Sequence, residues 1–335
     1  MSFPLAHAAA PVFEFGYAAT DKLEQALADP RVLAVFGFAG CPRPALDDPR
    51  FLSVPLQIHG MPVLEVWRSP LPVTHGRDGD VAWAHDGQVL FGSLEIDEAD
   101  AGIEAAAAAA YARLALFLDD CGYPHLLRTW NYLDAITEGE GDEERYRRFC
   151  VGRARGMHTL DETSLPAATC IGRYDGVRRL QVYWLCGRDA GQPLENPRQI
   201  NPWHYPQQYG RQSPSFSRAL LPAASSGLPL LQSGTAAIIG HASQHPEALP
   251  EQLHETLANL QSLIDVARQQ RPALAARPGP DSLFKVYVRR ARDLDTVAAL
   301  LQALPQPTPC LLLHAEVCRR ELLVEIESLH GDRSE

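Results

Sequence analysis

The sequence predicts an α/β protein made of two similar α+β halves, and three observations carry this. Runs that alternate apolar and polar residues, the mark of half-buried strands, are interleaved with two long stretches of helical periodicity, 102–120 and 250–269. The order strand pair, helix, strand, helix, strand pair runs once before residue 190 and again after residue 218, the signature of an internal duplication. An Arg-Arg dipeptide precedes the last strand each time, as Arg178-Arg179 and then Arg319-Arg320.

Taken in order, residues 1–75 read as short strands and turns. Val32–Phe38 is an apolar run and Met61–Trp67 alternates, while Pro42, Pro44, Pro55, Pro62, Pro70 and Pro72 interrupt anything longer. Val81–His85 and Val89–Leu94 form a predicted hairpin around Asp86-Gly87, a strong turn signal. The alanine-rich helix from Gly102 to Asp120 follows, with Gly122 placed to end it. Leu127–Leu133 reads as a strand, and the acidic loop Glu138–Glu144 opens a helix through Arg145 to Gly152, where negative charge suits the N-terminus. Ala168–Gly172 and Arg179–Cys186 close the first half.

The segment from Gly191 to Ser217 lacks periodicity but is rich in aromatics, hydroxyls and arginines, the composition of a functional loop. Beyond it Leu230–His241 resembles Gln88–Ile96 in type. A helix over Pro250–Gln269, a strand over Leu283–Arg289, a short helix over Asp293–Ala303 and the pair Cys310–His314 and Arg320–Ile326 complete the second half. The expected organisation is therefore 1–190 with a strand-rich N-terminal extension, 191–217 as a loop segment, and 218–335.

The last strand is the most informative stretch. In Cys318–Glu327 strand alternation puts Leu322, Val324 and Ile326 on one face and Leu323, Glu325 and Glu327 on the other. The residues alone leave two readings open, a solvated acidic face or a general acid in a pocket. Counting five residues from the second arginine of each dipeptide aligns Trp184 with Glu325, so only the C-terminal half keeps the acid.

A net charge of −11 at pH 7 disfavours nucleic acid and anionic membrane as partners. Cys41, Cys121, Cys150, Cys170, Cys186, Cys310 and Cys318 are odd in number and contain no C-x-x-C pair, which argues for reduced thiols in a cytoplasmic protein. No run of 18 apolar residues suggests a membrane span, and Met1–His7 lacks the positive charge of a secretory leader. His241 and His245 stand four apart without an acidic partner at matching spacing, so no metal is expected.

Four separated motifs carry a resemblance across nearly the whole chain: Glu144–Arg153 (E-R-Y-R-R-F-C-V-G-R), Tyr205–Arg218 (Y-P-Q-Q-Y-G-R-Q-S-P-S-F-S-R), Ser233-Gly234-Thr235-Ala236 with Gly240-His241, and Cys318–Glu325. With this spacing and order the sequence resembles the chorismatase family. Within it, the sequence is most similar to the xanthomonad branch that forms 3-hydroxybenzoate and 4-hydroxybenzoate for pigment and ubiquinone synthesis. The closing Val324-Glu325-Ile326-Glu327 also resembles the RidA/YjgF fold, which implies two RidA-like halves of mixed sheets with helices packed on one face.

The resemblance implies chorismate as substrate, Tyr146 with Arg153 and Tyr205 with Arg218 as two substrate-binding pairs, and Glu325 as the catalytic acid. Cys318 becomes a candidate for steering the product. The RidA arginine does not transfer, because Cys310 stands about where it belongs, so imine hydrolysis is not expected. Tyr209, Arg211 and Ser215 are secondary candidates from the loop. The residue types suit the chemistry: guanidinium forks bind the two carboxylates of chorismate, and a carboxylic acid kept protonated by burial protonates an enol ether. Read without the resemblance, Arg153 is also a solvated helix-end cation, Tyr146 a packing residue and Cys318 a small buried hydrophobe. No cofactor or metal is required, and a monomer is expected because a duplicated chain builds a subunit-like interface internally. The alternatives are a hydrolytic chorismatase giving a dihydrodiol, or a RidA-like binding protein without turnover.

Overall fold

The structure, a computed structural model, describes residues 12–157 and 163–333; the Met1–His7 stretch lies outside them. The first sheet uses β1 (Glu14–Ala19), α1 (Leu23–Ala28), β2 (Val32–Gly37) and β3 (Phe51–Ser53). After the short β4 (Gln57–Ile58) comes β5 (Val63–Arg68), and the strands lie in the order β1-β5-β2-β3. The second sheet contains β6 (Thr74–Asp78), β7 (Val81–His85), β8 (Val89–Asp97), α2 (Gly102–Cys121), β9 (His125–Asp134), α3 (Arg145–Gly156), β10 (Ala167–Arg173) and β11 (Arg179–Gly187), in the order β10-β9-β11-β8-β7-β6.

The third begins with β12 (Gln192–Leu194), β13 (Ala219–Leu221) and β14 (Leu230–Ala236), with a small hairpin of β15 (Ile238–Ile239) and β16 (Ala242–Ser243) beside it. It continues through α4 (Leu249–Arg268), β17 (Ser282–Val288), α5 (Leu294–Gln302), β18 (Cys310–His314) and β19 (Val324–His330), in the order β12-β13-β14-β19-β17-β18-β4.

The two predicted halves are the second and third sheets, and their topologies coincide strand for strand: β8, β9, β10 and β11 occupy the places of β14, β17, β18 and β19. The strands read as closing pairs do not pair with each other. In each half one runs parallel and the other antiparallel to the strand between them. The stretch read as an N-terminal extension is a sheet of its own with the same plan, β1, β2, β3 and β5 in the corresponding places, but lacking a helix between its second and third strands. The chain thus contains three units, the first reduced.

Their central faces converge on one core that includes Phe36 and Trp67 of the first unit, Phe91, Trp130 and Tyr183 of the second, and Leu231, Tyr287 and Leu313 of the third. Trp130 stacks on Tyr183 at 4.7 Å and Trp67 lies 5.4 Å from Trp130, pairs worth roughly 0.5–1.5 kcal/mol each beyond burial. Helices cover the opposite faces: α1 packs on Val32, Val35 and Leu64, and the cores under α2 with α3 and under α4 with α5 hold Trp184 and Ile326 respectively.

Local signals were realised where they were chemical. Asp86 accepts the backbone N–H groups of Gln88 and Val89, both at 2.8 Å, to form the hairpin turn, and Gly122 ends α2 in the left-handed conformation at φ 77°. Among the described residues α2 alone has the length and composition of a membrane span. Its alanine run has a packing reason instead. A Cβ on Gly152 would fall 2.1 Å from the Glu104 carbonyl oxygen and one on Gly156 2.7 Å from that of Ala108, so α3 rests backbone to backbone on α2. This contact turns the other face of α3 toward the third unit.

The final strand starts later than its sequence pattern suggests. Residues 319–321 form a turn, because Arg289 donates to the carbonyls of Val317, Arg319 and Leu322 and Arg320 donates to that of Thr137. Alternation therefore begins at Val324. Leu323, expected beside Glu325, joins Val324 and Ile326 in the core under the helices, and Leu322 packs with Ala236, Ile238 and Val317. Trp184 likewise faces the helices, so its alignment with Glu325 fails by one residue. Tyr183 and Leu185, which face the central core, share the side of Glu325.

Candidate active site

The site lies at the seam between the second and third units, where the edge strand β10 and helix α3 meet β14 and β19. Strand β14 breaks register with β19 between Gln232 and Thr235, and the irregularity is used to join the units. Ser233 Oγ accepts the Ala168 N–H at 2.9 Å and donates to Ser217 O at 2.6 Å, and the Gly234 N–H donates to Thr169 Oγ1 at 3.0 Å. Gly234 leaves space for the acid: a Cβ there would sit 2.0 Å from Glu325 Oε1.

The cavity has a narrow inner lobe of about 50 Å³ and a wider outer lobe of about 390 Å³, together of a size that takes a small molecule. Tyr146, Pro214, Phe216, Gly234, Cys318 and Glu325 line both lobes, so the two are continuous. Arg153 and Ser215 border the inner lobe, whereas Tyr205, Tyr209 and Arg218 border the outer one. Tyr146, Phe149, Cys150 and Arg153 reach it from one face of α3, at spacings of three and four along the helix.

Both arginines are 4% exposed. Arg153 donates to the Ser215 carbonyl and lies 5.0 Å from the Tyr111 ring. Arg218 donates to the Tyr205 hydroxyl at 2.6 Å and to Ile200 O at 2.9 Å. Among the described residues Nε and Nη2 of Arg153 and Nε of Arg218 are buried without a hydrogen-bond partner. A buried guanidinium with free N–H groups is costly to leave so, and an anionic ligand satisfies it. Glu195, near Arg218, is pushed up to about 7 by burial against the pull of Arg218, so at neutral pH it compensates that cation only in part.

Glu325 is 5% exposed. Burial, and then the negative charge of Glu327, push its carboxyl up to about 8, against the pull of Arg128, Arg289 and Arg218. It is therefore a carboxylic acid at neutral pH, with a proton to give. The thiols around it are neutral as well: burial raises Cys318 and Cys170 far above their ordinary range and Cys150 to about 12. Tyr146 is likewise held protonated by burial.

Of the residues singled out from the sequence, Tyr146, Arg153, Tyr205, Tyr209, Ser215, Arg218, Cys318 and Glu325 are brought around this cavity. Arg211 is not: it is exposed and ion-paired with Glu104 at 3.2 Å, facing away from the lobes. Cys310 packs partly buried at the start of β18, and His241 and His245 diverge, toward Tyr209 and Glu255. Sequence reasoning missed Arg319, whose guanidinium stacks 3.9 Å over Tyr209 while donating to His241 O at 2.8 Å. It served in the sequence only as a repeat marker. Cys150 was also missed, although its place four residues after Tyr146 on one helix was a usable signal.

The chain is similar to several known proteins. Residues 65–186 match a family model described as Chorismatase FkbO/Hyg5-like, N-terminal. A chorismatase of Streptomyces hygroscopicus is 36% identical over 273 residues, 79% of this chain and 78% of that protein. A 3-hydroxybenzoate synthase of the same organism is 33% identical over 312 residues, 89% of this chain and 91% of that protein. The crystal structure of a chorismatase at 1.08 Å resolution superposes with a TM-score of 0.84 at 32% identity, covering 96% of this chain and 99% of that one.

Proposed function

This chain belongs to the chorismatase family, and on that premise we propose that it converts chorismate to hydroxybenzoate, the 3-isomer, the 4-isomer or both, with release of pyruvate. The observation that carries the reading is a buried carboxylic acid, Glu325, facing a cavity that also holds two buried arginines with unpaired N–H groups. Chorismate is a dianion, and its two carboxylates match Arg153 in the inner lobe and Arg218 in the outer one. Tyr205, whose hydroxyl accepts from Arg218, keeps its own proton to donate.

Glu325 donates its proton to the terminal methylene of the enolpyruvyl ether. The ether carbon becomes an oxocarbenium ion, and the carboxylate left on Glu325 stabilises it. The ring C–O bond then breaks with its electron pair passing to oxygen, so that pyruvate departs as the ketone. The neighbouring ring hydroxyl closes on the carbon released and gives up its proton, which restores Glu325 and leaves an epoxide. One of the two epoxide C–O bonds then breaks, its oxygen takes up a proton and a ring C–H proton is lost, so that the ring becomes aromatic with the hydroxyl on the carbon that kept its bond. The neutral thiols of Cys150, Cys170 and Cys318, with Phe149 and Phe216, face the inner lobe beside the polar Asn131, Thr169 and Arg153, and likeness to a 3-hydroxybenzoate synthase over 89% of the chain supports internal attack over hydrolysis. Cys318 in this role steers the product. The site is complete within one chain, which supports a monomer as the working form.

Incubating the purified protein with chorismate and resolving the products by chromatography tests the reading. Hydroxybenzoate with equimolar pyruvate is expected. A dihydrodiol would replace internal attack by water addition, and the absence of pyruvate would overturn the activity.

A further inference from the structure

Four charged side chains are buried together behind the catalytic strand. Glu65, Arg128, Lys285 and Glu327 are 2%, 1%, 5% and 5% exposed. Lys285 Nζ stands 2.9 Å from Glu65 and 3.2 Å from Glu327, and Arg128 Nη2 lies 3.2 Å from Glu327. Trp130 Nε1 donates to Glu327 at 2.8 Å and Trp67 Nε1 to Glu65 at 2.9 Å. The cluster draws on all three units: Glu65 comes from β5, Arg128 and Trp130 from β9, Lys285 from β17 and Glu327 from β19. The void beside it, about 10 Å³, is too small for a ligand. Two anions and two cations balance, yet an apolar cluster of the same shape would be about as stable, so the charges call for a role beyond stability.

Glu325 and Glu327 project from the same face of β19, two residues and roughly 7 Å apart along the strand. We propose that Glu327 is a positioning residue for the reaction: a permanent buried carboxylate, fixed by residues of all three units, that keeps the catalytic proton on Glu325. The inference rests on the proposed role of Glu325 as proton donor. Glu325 is faced by Arg128 from β9, Arg289 after β17 and Arg218 before β13, all of which favour its ionised form. Tyr287, its register partner on β17, and Cys150, Cys170, Cys318 and Tyr146 are neutral. Glu327 is the anion that offsets the three arginines. Burial alone would push its own proton affinity up, but Lys285 and Arg128 hold it below the usual carboxylate range. Glu65 balances Lys285, which gives the reduced first unit a part in the site although it contributes no wall to the cavity.

The test is the pH profile of kcat/KM on chorismate for the wild type, Glu327→Gln, the charge-balanced Glu327→Gln/Lys285→Met and the charge-retaining Glu327→Asp. The wild-type profile falls through a limb near pH 8, where Glu325 loses its proton. In both Gln variants the limb moves down by at least about one pH unit, so that the ratio of kcat/KM at pH 9 to that at pH 6 falls roughly tenfold relative to wild type, while Glu327→Asp keeps the wild-type limb. A limb that stays in place in the Gln variants, even with activity reduced equally at every pH, overturns the role of Glu327 and leaves the activity standing. A wild type that releases no pyruvate overturns the activity and this inference together.

Discussion

Replacing Glu325 by glutamine removes one titrating group from the cavity and leaves its shape nearly unchanged. In the folded protein the carboxyl keeps its proton up to about 8, whereas an unfolded chain releases it near the ordinary 4.5. The folded state therefore binds more protons than the unfolded one between these values. Stability from this group is fully present below pH 4.5, declines as pH rises, and is lost above about pH 8. At ~1.36 kcal/mol per pH unit, the interval sets a ceiling of roughly 5 kcal/mol, and water entering from the outer lobe lowers it to about 3 kcal/mol. For a chain of 335 residues, unfolding entropy converts this to a shift of about 4 °C in Tm. The assay is thermal unfolding of wild type and Glu325→Gln at pH 5 and pH 9. Other groups titrate alike in both proteins and cancel in the difference. The variant should gain about 4 °C on the wild type in going from pH 5 to pH 9. A difference that does not change with pH would refute the claim that Glu325 is buried as an acid.

Three further outcomes follow from the geometry. Arg153→Met and Arg218→Met each remove charge-assisted hydrogen bonds of about 1.5–3 kcal/mol, so steady-state kinetics should show kcat/KM lower by roughly 10- to 150-fold. Arg211→Ala breaks only an exposed ion pair with Glu104, and both kcat/KM and the urea midpoint should stay near wild type. Gly152→Val drives a side chain into the Glu104 carbonyl, and urea unfolding should show a loss of roughly 3 kcal/mol or more together with lost activity as α3 is pushed off α2.

What could be read from the sequence was what local chemistry dictates. Asp86-Gly87, Gly122 and the periodicity of α2 and α4 each specify their own structure, and the repeat order exposed the duplication. The first unit stayed hidden because α1 has six residues and β3 only three, too few for a periodic signal. Leu323 was misplaced because the turn before β19 is imposed by Arg289, some thirty residues distant in sequence. Arg211 was legible as a charge in a functional loop, but its partner Glu104 lies on α2, 107 positions away. Glu65 and Lys285 read as ordinary strand residues, since nothing local tells that three sheets turn them toward one another. Tyr146, Arg153, Tyr205 and Arg218 were assigned through family motifs, and their convergence on one cavity became visible only when β10 and β14 were joined at the seam.

The proposed proton transfer from Glu325 to chorismate is tested most directly by one comparison: pyruvate release from chorismate by wild type and Glu325→Gln at pH 6, with chorismate affinity measured by calorimetry on the same preparations. The account predicts that the variant binds chorismate within a few-fold of wild type and releases pyruvate roughly 10²- to 10⁴-fold more slowly. Pyruvate release within tenfold of wild type, with binding intact, would contradict it.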